Sequence, residues 1–289
     1  MRNEELRYSM EKKSVVICLI CVICVPWLLA SCVKDDLYDT PHPGKGVVNV
    51  SIDLPPGAGD DYIVEVDGHP LDEGNTASAP LPPGEHTIGV YNTPAGFTVT
   101  DGIASVDRVD ATRAETDLIV PLPEPLYAGV RQVQVSADDT LHLELSVVQR
   151  TRDLRLELTV TEGDAERIAA ITGTLSGVAG AYDLRNEILY GEAVSTAPVF
   201  TRSGDKVAAD LRLLGTMGDR QTLTLVLSFV GGNPQDILIK SDLTEQLADF
   251  SIGTEAVTLT GNLQAPIEAG VEADIIDWKV VSGGSVEAQ

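Results

Sequence analysis

The side chains with the sharpest chemistry in this chain are four thiols. Cys18, Cys21 and Cys24 are spaced C-x-x-C-x-x-C, and Cys32 follows. The triplet spacing suits an iron–sulfur cluster or zinc, because thiolates three residues apart can converge on one ion. Its surroundings exclude that chemistry. All three lie in residues 14–30, an almost unbroken apolar run of 17 residues behind Arg2, Arg7, Lys12 and Lys13. A basic leader followed by an apolar stretch is the order of a secretory signal peptide. At about 1.5 Å per residue the run is at the short limit for spanning a bilayer. Val33-Lys34-Asp35-Asp36 follows it, not a basic stop-transfer cluster. Residues 1–31 are therefore expected to be removed. Met10 is an alternative start, since Glu11-Lys12-Lys13 would open a leader of ordinary length. Removal takes the triplet with it, and the mature chain keeps one cysteine, Cys32, and no intramolecular disulfide.

The histidines offer little more. His42 and His69 each precede a proline, in a tether and a turn, while His86 and His142 fall on strands at an outward-facing phase. None belongs to an H-E-x-x-H pair, and no G-x-S-x-G, P-loop or G-x-G-x-x-G occurs. Acids cluster at Asp60-Asp61 and at Asp67 with Asp72-Glu73, without an EF-hand pattern, and read as solvated turns. The reading is of a protein that is not an enzyme and uses no metal or cofactor. From Cys32 onward 16 basic residues face 41 acidic ones, a net −25. Nucleic acid would be repelled by that charge. The 43% apolar content excludes a disordered acidic tail. Sugar binding needs aromatic platforms, and the mature chain has 11 aromatics, mostly at core phase or beside turn glycines. Trp278, its one tryptophan, reads as core or as a domain clasp.

The elements that must position these groups are strands. Val48, Val50, Ile52 and Leu54 alternate with Asn49, Ser51 and Asp53; Leu154, Leu156, Leu158 and Val160 alternate with Arg155, Glu157 and Thr159. The pattern repeats at Leu141–Val147, Val207–Leu213 and Leu223–Phe229. Period-two alternation marks half-buried antiparallel strands, and their recurrence between Gly, Pro, Asp and Asn clusters favours β-sandwiches. The only helix expected is one or two turns within residues 164–171. Alternate prolines at 121, 123 and 125 cannot sit in a central strand. They suggest a boundary between an N-terminal sandwich, residues 46–122, and a C-terminal one, residues 126–289. Residues 32–45 read as a tether. The fold class is all-β, two tandem antiparallel sandwiches behind a signal peptide.

Cleavage is expected between Ser31 and Cys32, because Leu29-Ala30-Ser31-Cys32 resembles the lipobox of bacterial lipoproteins, whose cysteine takes the lipid. An uncleaved anchor helix with an incidental cysteine is the alternative. Each buried methylene contributes about 0.8 kcal/mol, so several acyl chains hold a protein without a spanning segment. Lys34, Asp35 and Asp36 resemble the export signal that sends some Bacteroidetes lipoproteins to the outer face of the outer membrane.

Leu81-Pro82-Pro83-Gly84-Glu85-His86-Thr87-Ile88-Gly89-Val90-Tyr91-Asn92 is a turn feeding a strand, and it resembles the transthyretin-like sandwiches of extracellular Bacteroidetes proteins. Asp35-Asp36-Leu37-Tyr38-Asp39, Ala111-Thr112-Arg113-Ala114, Arg152-Asp153-Leu154-Arg155-Leu156, the segment from Ile171 to Val178 and Ile276-Asp277-Trp278 follow in order. Together they resemble the fimbrillin superfamily, particularly its lipidated anchor or tip-accessory members. The resemblance implies a surface lipoprotein that joins fimbrial subunits of its own family by donor-strand complementation and contributes to cell adhesion, held in outer-membrane lipid through Cys32. It implies no nucleic acid and no small-molecule cofactor. In stalk subunits of that family an Arg-directed protease removes the first strand; here that strand would be residues 47–54, with C-terminal strands in residues 254–281. Arg113 is a less natural cleavage site, since a cut there would release nearly the whole first domain. A surface glycan-binding lipoprotein is the rival reading, and a lipoprotein enzyme the third.

Overall fold

A computed structural model describes residues 44–59, 61–71, 76–109, 118–232, 235–253, 255–266 and 273–282. Residues 1–43, with Ser31, Cys32 and Lys34-Asp35-Asp36 among them, lie outside the described residues, as does Arg113. In chain order the strands are β1 (Gly46–Asp53), β2 (Ile63–Val66), β3 (His69–Pro70), β4 (Thr76–Leu81), β5 (Gly84–Tyr91), β6 (Phe97–Thr100) and β7 (Ile103–Val106). Next come β8 (Leu118–Ile119), β9 (Tyr127–Val135), β10 (Thr140–Ser146), β11 (Val148–Gln149), β12 (Arg152–Glu162) and β13 (Ile168–Asp183). The last are β14 (Ile188–Thr196), β15 (Thr201–Ser203), β16 (Lys206–Leu213), β17 (Thr222–Phe229), β18 (Ile237–Asp242), β19 (Val257–Gln264) and β20 (Asp274–Ser282).

Alternation makes these strands. In β17 every second residue (Leu223, Leu225, Leu227, Phe229) is buried, and the residues between are half-buried. β12 likewise buries Leu154, Leu156, Leu158 and Val160, with Arg155 between them exposed and Glu157 and Thr159 half-buried. Burying a leucine side chain contributes roughly 1.5–3 kcal/mol, so facing rows of them hold two sheets together. The expected helix within residues 164–171 is only a 3-10 turn, Ala165–Arg167. The Asp164 carboxylate accepts the Glu166 N–H at its start, and β-branched Ile168 ends it by entering β13.

Four sheets form two sandwiches. One sandwich packs β10-β1-β4 on β11-β9-β5-β2-β3; the other packs β15-β16-β12-β19-β20 on β18-β17-β13-β14-β8, with β7 also on β13 and β6 on β7. Most pairs are antiparallel, but β1 with β10, β12 with β19 and β14 with β8 run parallel.

These pairings correct the division at residues 122–126. β9, β10 and β11 follow the prolines yet pair within the first sandwich, while β6, β7 and β8 precede them yet belong to the second. The proline segment is a real crossing between sandwiches, but only one of three. The others run from Tyr91 to Phe97 and from Gln149 to Arg152. Prolines mark a crossing because they cannot donate to a ladder; they do not say how many times the chain returns.

The expectation that a cut at Arg113 would release the first domain also falls. The β5–β9 and β1–β10 ladders join the two sides of that loop in the first sandwich, and the β7–β13 ladder joins them in the second. A chain nicked between Val109 and Leu118 is expected to stay one particle on native gels and size exclusion, and to separate into two fragments only in denaturant.

Candidate functional site

The candidate site is the first strand with the sheet edges around it. β1 turns Val48 and Val50, 1% and 3% exposed, into the small core made with Val64, Ile88, Val90 and Leu145. Its neighbours are β10 on one side and β4 on the other, so its backbone is paired along both edges. The turn after β9 latches its beginning. Gly44 N–H donates to Asp138 Oδ1 at 2.7 Å, Asp138 N–H donates to Lys45 O at 2.9 Å, and Val47 N–H donates to Asp139 O at 2.8 Å. Gly46 is required by contact: a Cβ there would stand 2.3 Å from Ser136 O. The reading of residues 47–54 as the first strand matches β1.

Two sandwich flanks expose strand edges. In the first, β10 and most of β9 have no further strand beside them among the described residues. Arg131 Nη1 donates across this flank to Glu144 O at 3.5 Å, occupying an edge carbonyl. In the second, β18 and β20 are each an end strand of their sheet, and Trp278 Nε1–H donates to Ser241 Oγ at 2.7 Å. Trp278 thus clasps the two sheets of one sandwich. Asp277, at φ 57, breaks the register of β20, and Asn262 Nδ2 donates to its carboxylate at 3.2 Å. Such an irregularity makes an edge a poorer template for indiscriminate pairing.

The sandwiches meet through charged groups. Glu65 is 4% exposed on the outer face of β2, and Arg185, from the turn after β13, reaches it with Nε–Oε1 at 3.3 Å. Arg185 lies on Gly68, where a Cβ would come within 2.6 Å of its guanidinium. Arg150, in the third crossing, donates to Ala128 O at 3.2 Å, pairs with Glu187 and stacks on the Tyr182 ring at 5.6 Å. Asn92 stitches two crossings, donating through Nδ2 to Pro125 O at 2.9 Å and accepting from Tyr127 N–H at 2.7 Å. None of these pairs was visible in the sequence, because partners 22 to 120 residues apart leave no local spacing.

The histidine reading needs one correction. His142 is exposed, but His86 is buried, because it shares the phase of Ile88 and Val90 on the inner face of β5. Its Nδ1 lies 2.7 Å from Asp67 Oδ2 and its Nε2 lies 2.9 Å from Pro82 O. Both neighbours are acceptors, so only the imidazolium satisfies both. The Asp67 hydrogen bond, then that to Pro82, raises the His86 pKa above its usual 6.5. The Thr87 N–H and then His86 hold Asp67 below its usual 3.8. A raised histidine contributes stability fully below pH 6.5 and loses it as pH climbs through the folded value. A lowered carboxylate contributes above pH 3.8 and loses it as pH falls through its folded value. Urea midpoints of the first sandwich are expected to fall from pH 6 to pH 9, and this slope is expected to vanish in His86→Phe.

Among the described residues no three of His, Cys, Asp and Glu gather as a metal group, and no helix is long and apolar enough to cross a membrane. Asp67 is held by its own chain, while Asp60, Asp72 and Glu73 lie outside the described residues. Tyr190 is the exposed aromatic among the described residues; Tyr62, Tyr91, Phe97, Tyr127, Tyr182, Phe229 and Phe250 are buried. An aromatic sugar platform is not assembled there.

Residues 63–282 match a family described as fimbrillin-A associated anchor proteins Mfa1 and Mfa2. Among solved structures, a candidate adhesin from Bacteroides ovatus superposes with a TM-score of 0.57 at 14% identity, covering 84% of this chain and 96% of that one. The fimbrial anchor protein Mfa2 from Porphyromonas gingivalis gives 0.52 at 12% identity over 82% of this chain and 97% of its own. A second Bacteroides ovatus candidate adhesin gives 0.55 at 12%, over 85% and 96%. At these identities the likeness is one of fold. No curated protein matches the chain.

Proposed function

The chain belongs to the family of fimbrillin-A associated anchor proteins, and from that premise we propose that it is an accessory subunit fixing a fimbrial fibre to the cell. The family match over residues 63–282 carries this reading. The lipid on Cys32 would be the fixed end, Lys34-Asp35-Asp36 would direct it to the outer face of the outer membrane, and the two sandwiches would hold the fibre. The partner is a fimbrial subunit of the same family, joined by donor-strand complementation. What supports that mode is the set of open strand edges, because an added strand satisfies their free N–H and C=O groups. β1 buries Val48 and Val50 and is paired on both sides, which suits a subunit that keeps its first strand.

Fibres prepared from cells lacking the protein test the reading. Fibres shed into the medium or altered in length are expected; tethered fibres of normal length would remove the anchor role. Mass spectrometry of the mature N-terminus is expected to find acylated Cys32. An unacylated terminus would remove the lipid.

A further inference from the structure

We infer that β1 is the strand through which tension enters the protein, and that it is placed to be loaded in shear against β10. The source of the load rests on the anchor reading; the geometry does not. β1 begins beside the turn after β9, where Gly44, Lys45 and Val47 are latched to Asp138 and Asp139. All three crossings to the second sandwich leave from the opposite end. There β5 finishes at Tyr91, opposite Ala128 near the start of β9, and β10 finishes at Ser146, opposite the end of β1 at Asp53. Val147 N–H donates to Asp53 O at 3.2 Å at that same end. A pull between the N-terminal tether and the second sandwich therefore runs along the strand axis.

The parallel pairing sets the response. β1 and β10 match over seven residues, from Val47 with Thr140 to Asp53 with Ser146. Pulling β1 by its start and β10 by its end slides one past the other, so every ladder bond is strained at once. Pulling both by the same end opens the bonds one after another. β4 adds six antiparallel pairs on the other side, and Val48 and Val50 must leave the core before β1 can slip. Forced unfolding is governed by the barrier along the pulled coordinate, and the shear path must break all of these contacts in a single step.

Single-molecule force spectroscopy on the chain from residue 33 onward separates the two directions, since that chain has no cysteine and handles can be placed at will. Lys45→Cys with Glu144→Cys pulls β1 and β10 in shear; Lys45→Cys with Ala137→Cys peels them from one end. All three positions are exposed. At one loading rate the shear pair is expected to rupture at two or more times the force of the peeling pair. Equal forces, or a weaker shear direction, would overturn the inference. The measurement uses purified protein, so its failure leaves the anchor reading to the fibre experiment, and a failed fibre experiment leaves the strand mechanics standing.

Discussion

Arg185→Ala is expected to destabilise the protein by about 2 kcal/mol, and to do so at the junction of the sandwiches. Glu65 has a side chain only 6% exposed, and Arg185 is the cation paired with it. Removing one member of a buried pair costs about 3–5 kcal/mol, because the other is left charged and dry. The Arg185 side chain is 38% exposed, so water already screens part of the interaction, and the expected loss is set lower. Urea titration measures the total, and hydrogen exchange at β2 and β5 locates it. Replacing both groups, Glu65→Leu with Arg185→Met, is expected to restore most of the stability, since no charge then remains to be satisfied. An Arg185→Ala protein as stable as the parent would show that Glu65 does not depend on this arginine.

Val50→Asp is expected to cost about 4 kcal/mol and to release β1 from its sheet. Val50 is 3% exposed, opposite Leu143 of β10, and a carboxylate there finds no partner while losing its water. The first sandwich has the smaller of the two cores and cannot spread the cost. Amides of β1 and β10 are expected to lose hydrogen-exchange protection, while the fluorescence of Trp278, which packs against the other core, stays as it was. Ser51→Asp, one residue along on the exposed face, is the control and is expected to change stability by no more than about 0.5 kcal/mol. Retained protection in Val50→Asp would mean that β1 is not embedded as described.

Much of the strand inventory was legible because it depends on local chemistry. Leu154–Val160, Val207–Leu213 and Leu223–Phe229 alternate with period two, and a strand with one face in a core must alternate. The first strand was legible for the same reason. His86 was misjudged although its signal was present: it keeps the phase of Ile88 and Val90, and the burial of a polar ring rests on Asp67, 19 residues away. The 164–171 segment carried a cap and acids that permit a helix, but β13 competes for its residues with 16 positions of ladder, and the ladder wins.

Composition and alternation alone establish that the chain is made of half-buried strands and that no cysteine follows Cys32. They suffice for these, because each is a property of neighbouring residues. Which strands share a sheet is set by the packing of the folded chain. The chain crosses between sandwiches at residues 92–96, 120–126 and 150–151, and just the middle crossing is written in prolines. A strand's alternation says that it has a buried face but not whose face it meets. The pairing of β1 with β10, and of Glu65 with Arg185, is fixed by contacts some 90 and 120 residues apart, where packing chooses and local spacing is silent.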